Sequence, residues 1–230
     1  MTTRPCRAAA RIFLALLLSL FLRPLSFAEE KPALTPNPSP AVSYDAEAMR
    51  RWSLHEMMVK LCEDHVIWLR SLIVSAAADL PDKDLVRERL QRNHRDIAII
   101  FRAFYGVDAS DKLNELLNDH IAIFGDVLAA AKTADAAKQH EAAARWNKNA
   151  DDIAAFLNQA NPKNWSVNDM RKMLHEHLQL INEVVELRAG GHYADDIAHY
   201  DKVQRQMLKI AHVLSAGMTN QFPDKARLRP

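Results

Sequence analysis

Glycine is scarce in this chain, with five in 230 residues. Sandwiches, propellers and nucleotide-binding α/β folds need glycine in tight turns and where backbone meets phosphate, so the shortage argues against all of them. Proline is nearly missing from the interior, where only Pro81 and Pro162 fall between Ser43 and Phe222. Helices in that span can therefore be long. Cysteine is limited to Cys6 and Cys62, and an excess of one charge is missing too, with 30 basic against 29 acidic residues. That balance removes the electrostatic footprint of a nucleic-acid or anionic-membrane partner. No apolar stretch reaches the ~20 residues needed to cross a bilayer. Catalytic signatures are also wanting: there is no P-loop, Gly-x-Ser-x-Gly elbow, His-Glu-x-x-His or Gly-rich dinucleotide turn. The paired Glu-x-x-His motifs of di-iron bundles are missing as well. A chain 49% hydrophobic and 26% charged with these gaps is expected to be all-α.

The N-terminus reads as a secretory signal peptide over residues 1–28. Arg4, Arg7 and Arg11 precede an apolar run from Ile12 to Leu22, and Ser26-Phe27-Ala28 supplies a small-x-small cleavage pattern. Removal of this segment takes away Arg4, Arg7, Arg11 and Arg23 and no acid, leaving a net charge of −3. The mature protein is expected to be exported, periplasmic or extracellular, and soluble. With Cys62 alone remaining, no intramolecular disulfide is possible. Residues 29–43 carry Pro32, Pro36, Pro38 and Pro40 and read as an extended linker. A single helical domain is expected over 44–222, followed by a flexible tail over 223–230.

Within that domain, apolar residues recur at helical spacing between punctuation at Leu80-Pro81-Asp82, Gly106, Thr133, Asn161-Pro162 and Gly190-Gly191. The pattern predicts six helices, at about 45–79, 82–105, 110–131, 134–160, 167–189 and 193–220. Ser166 with Asp169 marks the start of the fifth, and the Ser53/Glu56 capping-box pattern predicts a break inside the first.

A threefold repeat runs through these helices. Helices one, three and five carry an acid, then His, on an apolar background: Asp64-His65, Asp119-His120 and Glu176-His177. Helices two, four and six carry amide, base, amide and then Ile-Ala: Gln91-Arg92-Asn93, Asn147-Lys148-Asn149 and Gln204-Arg205-Gln206. Each His is 28 or 29 residues from the matching Asn93, Asn149 or Gln206, and the midpoints fall on the turns near 79, 134 and 191. Each repeat is thus one helical hairpin in which the His faces the amide. Short links between hairpins make the first helices parallel and put His65, His120 and His177 in one slab of an up-and-down six-helix bundle.

All three histidines lie on the apolar stripe, which leaves two main readings beside that of a small-molecule site. In the first, the protein is an exported binding protein, and His65, His120 and His177 coordinate one divalent transition metal, oriented by Asn93, Asn149, Gln206, Asp64, Asp119 and Glu176. In the alternative, each His bonds its facing amide and fixes hairpin register in a non-enzymatic structural or protein-interaction module, with an unidentified protein partner. An enzyme of unrecognised metal chemistry is a third class. Salt bridges are expected between Asp64 and Arg92, Asp119 and Lys148, and Glu176 and Arg205, because these residues precede the His and amide positions. Cys62 aligns with Leu117 and Leu174 and reads as a small core residue.

At Asp64-His65-Val66-x-Trp68-x-Arg70, Leu80-Pro81-Asp82, Ala150-Asp151-x-Ile153-Ala154-x-Phe156-Leu157 and Gln221-Phe222-Pro223-Asp224-Lys225, the chain resembles a family of bacterial helical proteins without an established activity. That resemblance implies a helical domain and assigns no catalytic residue.

Overall fold

A computed structural model describes residues 46–133 and 135–225; the expected signal peptide, the linker up to residue 45, Ala134 and residues 226–230 lie outside the described residues. Six helices follow in order: α1 (Ala46–Ala77), α2 (Lys83–Tyr105), α3 (Val107–Thr133), α4 (Ala136–Ala160), α5 (Val167–Ala189) and α6 (Tyr193–Gln221). Each packs on its neighbours in sequence, and α6 closes the ring against α1. The odd-numbered helices α1, α3 and α5 also touch one another at the centre, so three inner helices are each backed by the second helix of their own hairpin. Among the described residues no helix is long and apolar enough to cross a membrane.

The apolar stripe explains this arrangement. Relative to the repeated His, positions −7, +4 and +7 are filled by Met58, Leu69 and Leu72 in α1, by Leu113, Phe124 and Val127 in α3, and by Met170, Ile181 and Val184 in α5, all buried. A stripe of that width must be covered on both flanks. Each such side chain contributes roughly 1.5 to 3 kcal/mol on full burial, so the inner helices hold much of the folding free energy.

Local chemistry sets the ends. Asp135 caps α4 by accepting the Lys138 N–H at 3.1 Å, and Ser166 Oγ accepts the Asp169 N–H at 3.1 Å to open α5. Between α2 and α3 the whole connection is Gly106, whose φ of 91° lies in the left-handed region where a side chain is strained. Gly217 serves a different need, since a Cβ there would collide with the indole of the fully buried Trp165. That indole donates to the Val213 carbonyl at 3.2 Å, and the Gly217 carbonyl accepts from Asn161 Nδ2 at 2.9 Å, which ties the α4–α5 link to the end of α6.

One expected feature is not formed. The helix α1 continues through Ser53 and Glu56 without a break. Leu54 and Met58, both buried, extend the apolar stripe across the capping-box pattern, and tertiary packing outweighs the local preference.

Candidate functional site

The three repeated histidines converge where α1, α3 and α5 meet. His65, His120 and His177 are buried, as are Asn93, Asn149 and Gln206 on the outer helices. In all three repeats the amide nitrogen donates to the carbonyl four residues before the His: Asn93 to Leu61 at 2.9 Å, Asn149 to Leu116 at 3.0 Å and Gln206 to Met173 at 2.8 Å. A carbonyl only accepts, so each amide is oriented with its oxygen toward the hairpin interior.

That orientation settles the imidazole tautomers. Nδ1–H of His120 donates to Asn149 Oδ1 at 2.7 Å, and Nδ1–H of His177 donates to Gln206 Oε1 at 3.0 Å. His120 is held from the other side as well, its Nε2 accepting from the Trp146 indole N–H at 3.1 Å.

The first repeat departs from the other two. His65 Nδ1 meets His94 Nε2 at 3.0 Å rather than the amide of Asn93. His94 Nδ1 must carry the hydrogen, because its partner at 3.0 Å is the Leu117 carbonyl. Nε2 of His94 is therefore the acceptor and His65 Nδ1–H the donor. Asn93 Oδ1, passed over by this exchange, is buried without a hydrogen-bond partner among the described residues. His94 was not singled out by the repeat, yet the spacing carries its signal. His65 to Asn93 spans 28 residues where the other two pairs span 29, and the residue 29 positions from His65 is His94.

Burial drives all four rings toward the neutral form. Desolvation, reinforced by neighbouring imidazoles, lowers His94 from 6.5 to about 3 and His177 to about 4. Desolvation against the opposing bond to Asn149 lowers His120 to about 4. His65 is pushed well below 6.5 by desolvation and then by His94, His177 and His120. Beside them, Cys62 is buried as expected of a core residue, and its thiol is pushed up to about 12 by desolvation.

This geometry overturns the expectation of a divalent transition metal held by His65, His120 and His177. Among the described residues no group of three or more His, Cys, Asp or Glu is placed to hold a metal ion. The reason lies in the bonds: a ligating imidazole needs a free nitrogen lone pair, and both nitrogens of His120 are engaged. Asn149 and Gln206 orient imidazoles within their hairpins rather than around a metal, and Asn93 bonds the Leu61 carbonyl rather than an imidazole.

The acids expected to support the site lie elsewhere. Asp64 pairs with Lys60 on its own helix, and Lys148 pairs with Asp152 at 2.8 Å, again within one helix. Glu176 approaches Lys209 at 4.0 Å rather than Arg205. The expected bridges from Asp64 to Arg92, from Asp119 to Lys148 and from Glu176 to Arg205 are not formed. Salt pairs one turn apart on a single helix are closer than equivalents across a hairpin, and these side chains project away from the stripe that joins the helices.

A second buried polar group, also missed in the sequence, ties α1, α5 and α6 together. Asp196 is fully buried and accepts from Arg70 through both carboxylate oxygens, with Nη2 at 2.7 Å, and from Arg188 Nη1 at 3.2 Å. The Arg70 guanidinium also stacks 5.0 Å from the centre of the Tyr200 ring, and Tyr200 donates its hydroxyl to the Val66 carbonyl.

Comparison of the chain with protein-family models, characterised proteins and solved structures gives no match in any of the three.

Proposed function

We propose that the chain is a non-enzymatic structural or protein-interaction module in which buried His pairs fix the register of three hairpins. The observation that carries this reading is the recurring relay in the second and third repeats: carbonyl, amide nitrogen, amide oxygen, imidazole Nδ1. A slip of one helix past the other by a turn, ~5.4 Å, would leave every member of a relay buried and unpaired, at roughly 1 to 3 kcal/mol each. Apolar contacts alone tolerate such slips, because Leu, Ile and Val are interchangeable partners.

The third repeat gives the cleaner test, since His120 also accepts from Trp146 whereas among the described residues His177 bonds Gln206 alone. His177→Leu and Gln206→Leu are each expected to lower unfolding free energy by about 1 to 3 kcal/mol, and the double variant to recover most of that loss. Strictly additive losses in urea titrations would reject the pairing. Replacing His65, His94, His120, Asn149, His177 and Gln206 together by Leu is expected to keep helical circular dichroism while giving more than one set of amide resonances. A single native-like set would reject the register role.

Export belongs to the same proposal and rests on the basic, apolar and small-residue order of residues 1–28. N-terminal sequencing of the mature protein is expected to begin at Glu29. An intact Met1 chain retained in the cytoplasm would reject it.

A further inference from the structure

The centre of the bundle holds a cavity of about 100 Å³, lined by His65, His94, His120 and His177 together with aliphatic and aromatic side chains such as Met58 and Phe101. Its size exceeds the roughly 10 to 15 Å³ that one water needs and falls below the ~150 Å³ that accepts benzene. The walls are almost wholly apolar, so the polar atoms that reach it decide what enters.

The bonds of the four imidazoles fall into two classes. His94 and His120 have both ring nitrogens engaged. His65 and His177 each use Nδ1–H as a donor, toward His94 and Gln206, and among the described residues no hydrogen bond reaches their Nε2 atoms. These two rings are buried, lie against each other with centroids 5.8 Å apart, and both line the cavity. Two acceptor lone pairs thus belong to rings facing one apolar space.

We propose that this cavity is a binding site for a small neutral molecule of up to about five heavy atoms, with an apolar body and an N–H or O–H donor that bonds Nε2 of His65 or His177. An anion is disfavoured because both nitrogens present lone pairs. A cation is disfavoured because the surrounding apolar shell gives it no counter-charge. The site goes beyond the register function and uses different atoms: Nδ1 holds the hairpins and Nε2 meets the ligand.

Pyrrole and furan test this directly, being rings of nearly the same shape of which only pyrrole has an N–H. Added to the purified full chain at pH 7.5, pyrrole is expected to bind about five- to tenfold more tightly than furan, the worth of one hydrogen bond. It is also expected to move the ¹⁵N resonances of Nε2 in His65 or His177 while leaving those of His94 and His120 nearly in place. The ring resonances are read on the unmutated protein, so the result does not depend on a variant folding. In His177→Leu, pyrrole is expected to lose part of its advantage over furan. Equal binding of the two rings would overturn the proposal, leaving the cavity as apolar space alone. Failure of both to bind, or unchanged Nε2 resonances under saturating pyrrole, would overturn it as well. None of these outcomes touches the pairing of His177 with Gln206, which the stability measurements read separately.

Discussion

Acidified toward pH 5, the bundle is expected to unfold cooperatively while taking up about four protons, at a pH where carboxylates of an ordinary helical domain are still ionised. In the unfolded chain each imidazole titrates near 6.5. In the folded chain His94 is lowered to about 3 and His120 and His177 to about 4, with His65 also well below 6.5. Between those limits the unfolded state binds more protons than the folded one. The stability associated with these groups is therefore fully present above about pH 6.5 and is lost as pH falls toward the folded values. Each unit below 6.5 removes up to about 1.4 kcal/mol per imidazole, so at pH 5 His94, His120 and His177 remove roughly 6 kcal/mol together, with His65 acting in the same direction, and that loss is comparable to the whole stability of an ordinary domain. The geometry gives the same sign. Protonating His120 at Nε2 would set two donors face to face across the Trp146 bond, and protonating His94 would do so across the His65 bond. Far-ultraviolet circular dichroism against pH, with proton uptake measured in parallel, checks the expectation. A bundle that stays folded down to pH 3.5 would contradict it.

What the sequence made legible was whatever repeats. Apolar spacing and the symmetric distances of His and amide from the turns were enough to place six helices, pair them as hairpins and bring His65, His120 and His177 to one level. The bonding of those histidines was not legible, because it depends on which way each ring turns. The second nitrogen of His120 is taken by Trp146, a residue that the repeat marks only as apolar. His94 escaped because it has no His counterpart, standing where the other repeats have Ala150 and Met207. Its effect appears only as a one-residue irregularity in spacing. Charged residues misled in the opposite direction. Asp64 and Lys148 look like interhelical partners by alignment, but an oppositely charged residue four positions away on the same helix captures each.

The charged group with the largest consequence has no repeat at all. Asp196 sits beside Asp195 in the first turn of α6, where two acids read as ordinary complements of the helix dipole. Its partners Arg70 and Arg188 lie near the ends of α1 and α5, and only the closed ring of helices brings the three together. Asp196 is fully buried, and the two arginine side chains are 20% and 19% exposed, which leaves water little access to replace a lost partner. Truncation in Asp196→Ala would strand two guanidinium groups against each other with no counter-charge. The expected loss is about 3 to 5 kcal/mol, the range for removing one member of a buried ion pair. With a urea dependence near 2 kcal/mol per molar, the unfolding midpoint should fall by about 2 M. Asp196→Asn retains one acceptor oxygen, so it is expected to lose less than the alanine variant while still lacking the charge. The loss should also be accompanied by earlier amide exchange at the α1, α5 and α6 ends that meet there, ahead of the helix centres that hold the histidines. A midpoint shift below about 0.5 M for Asp196→Ala would show that solvent already screens the two arginines, and that the apolar stripes alone hold this end of the bundle closed.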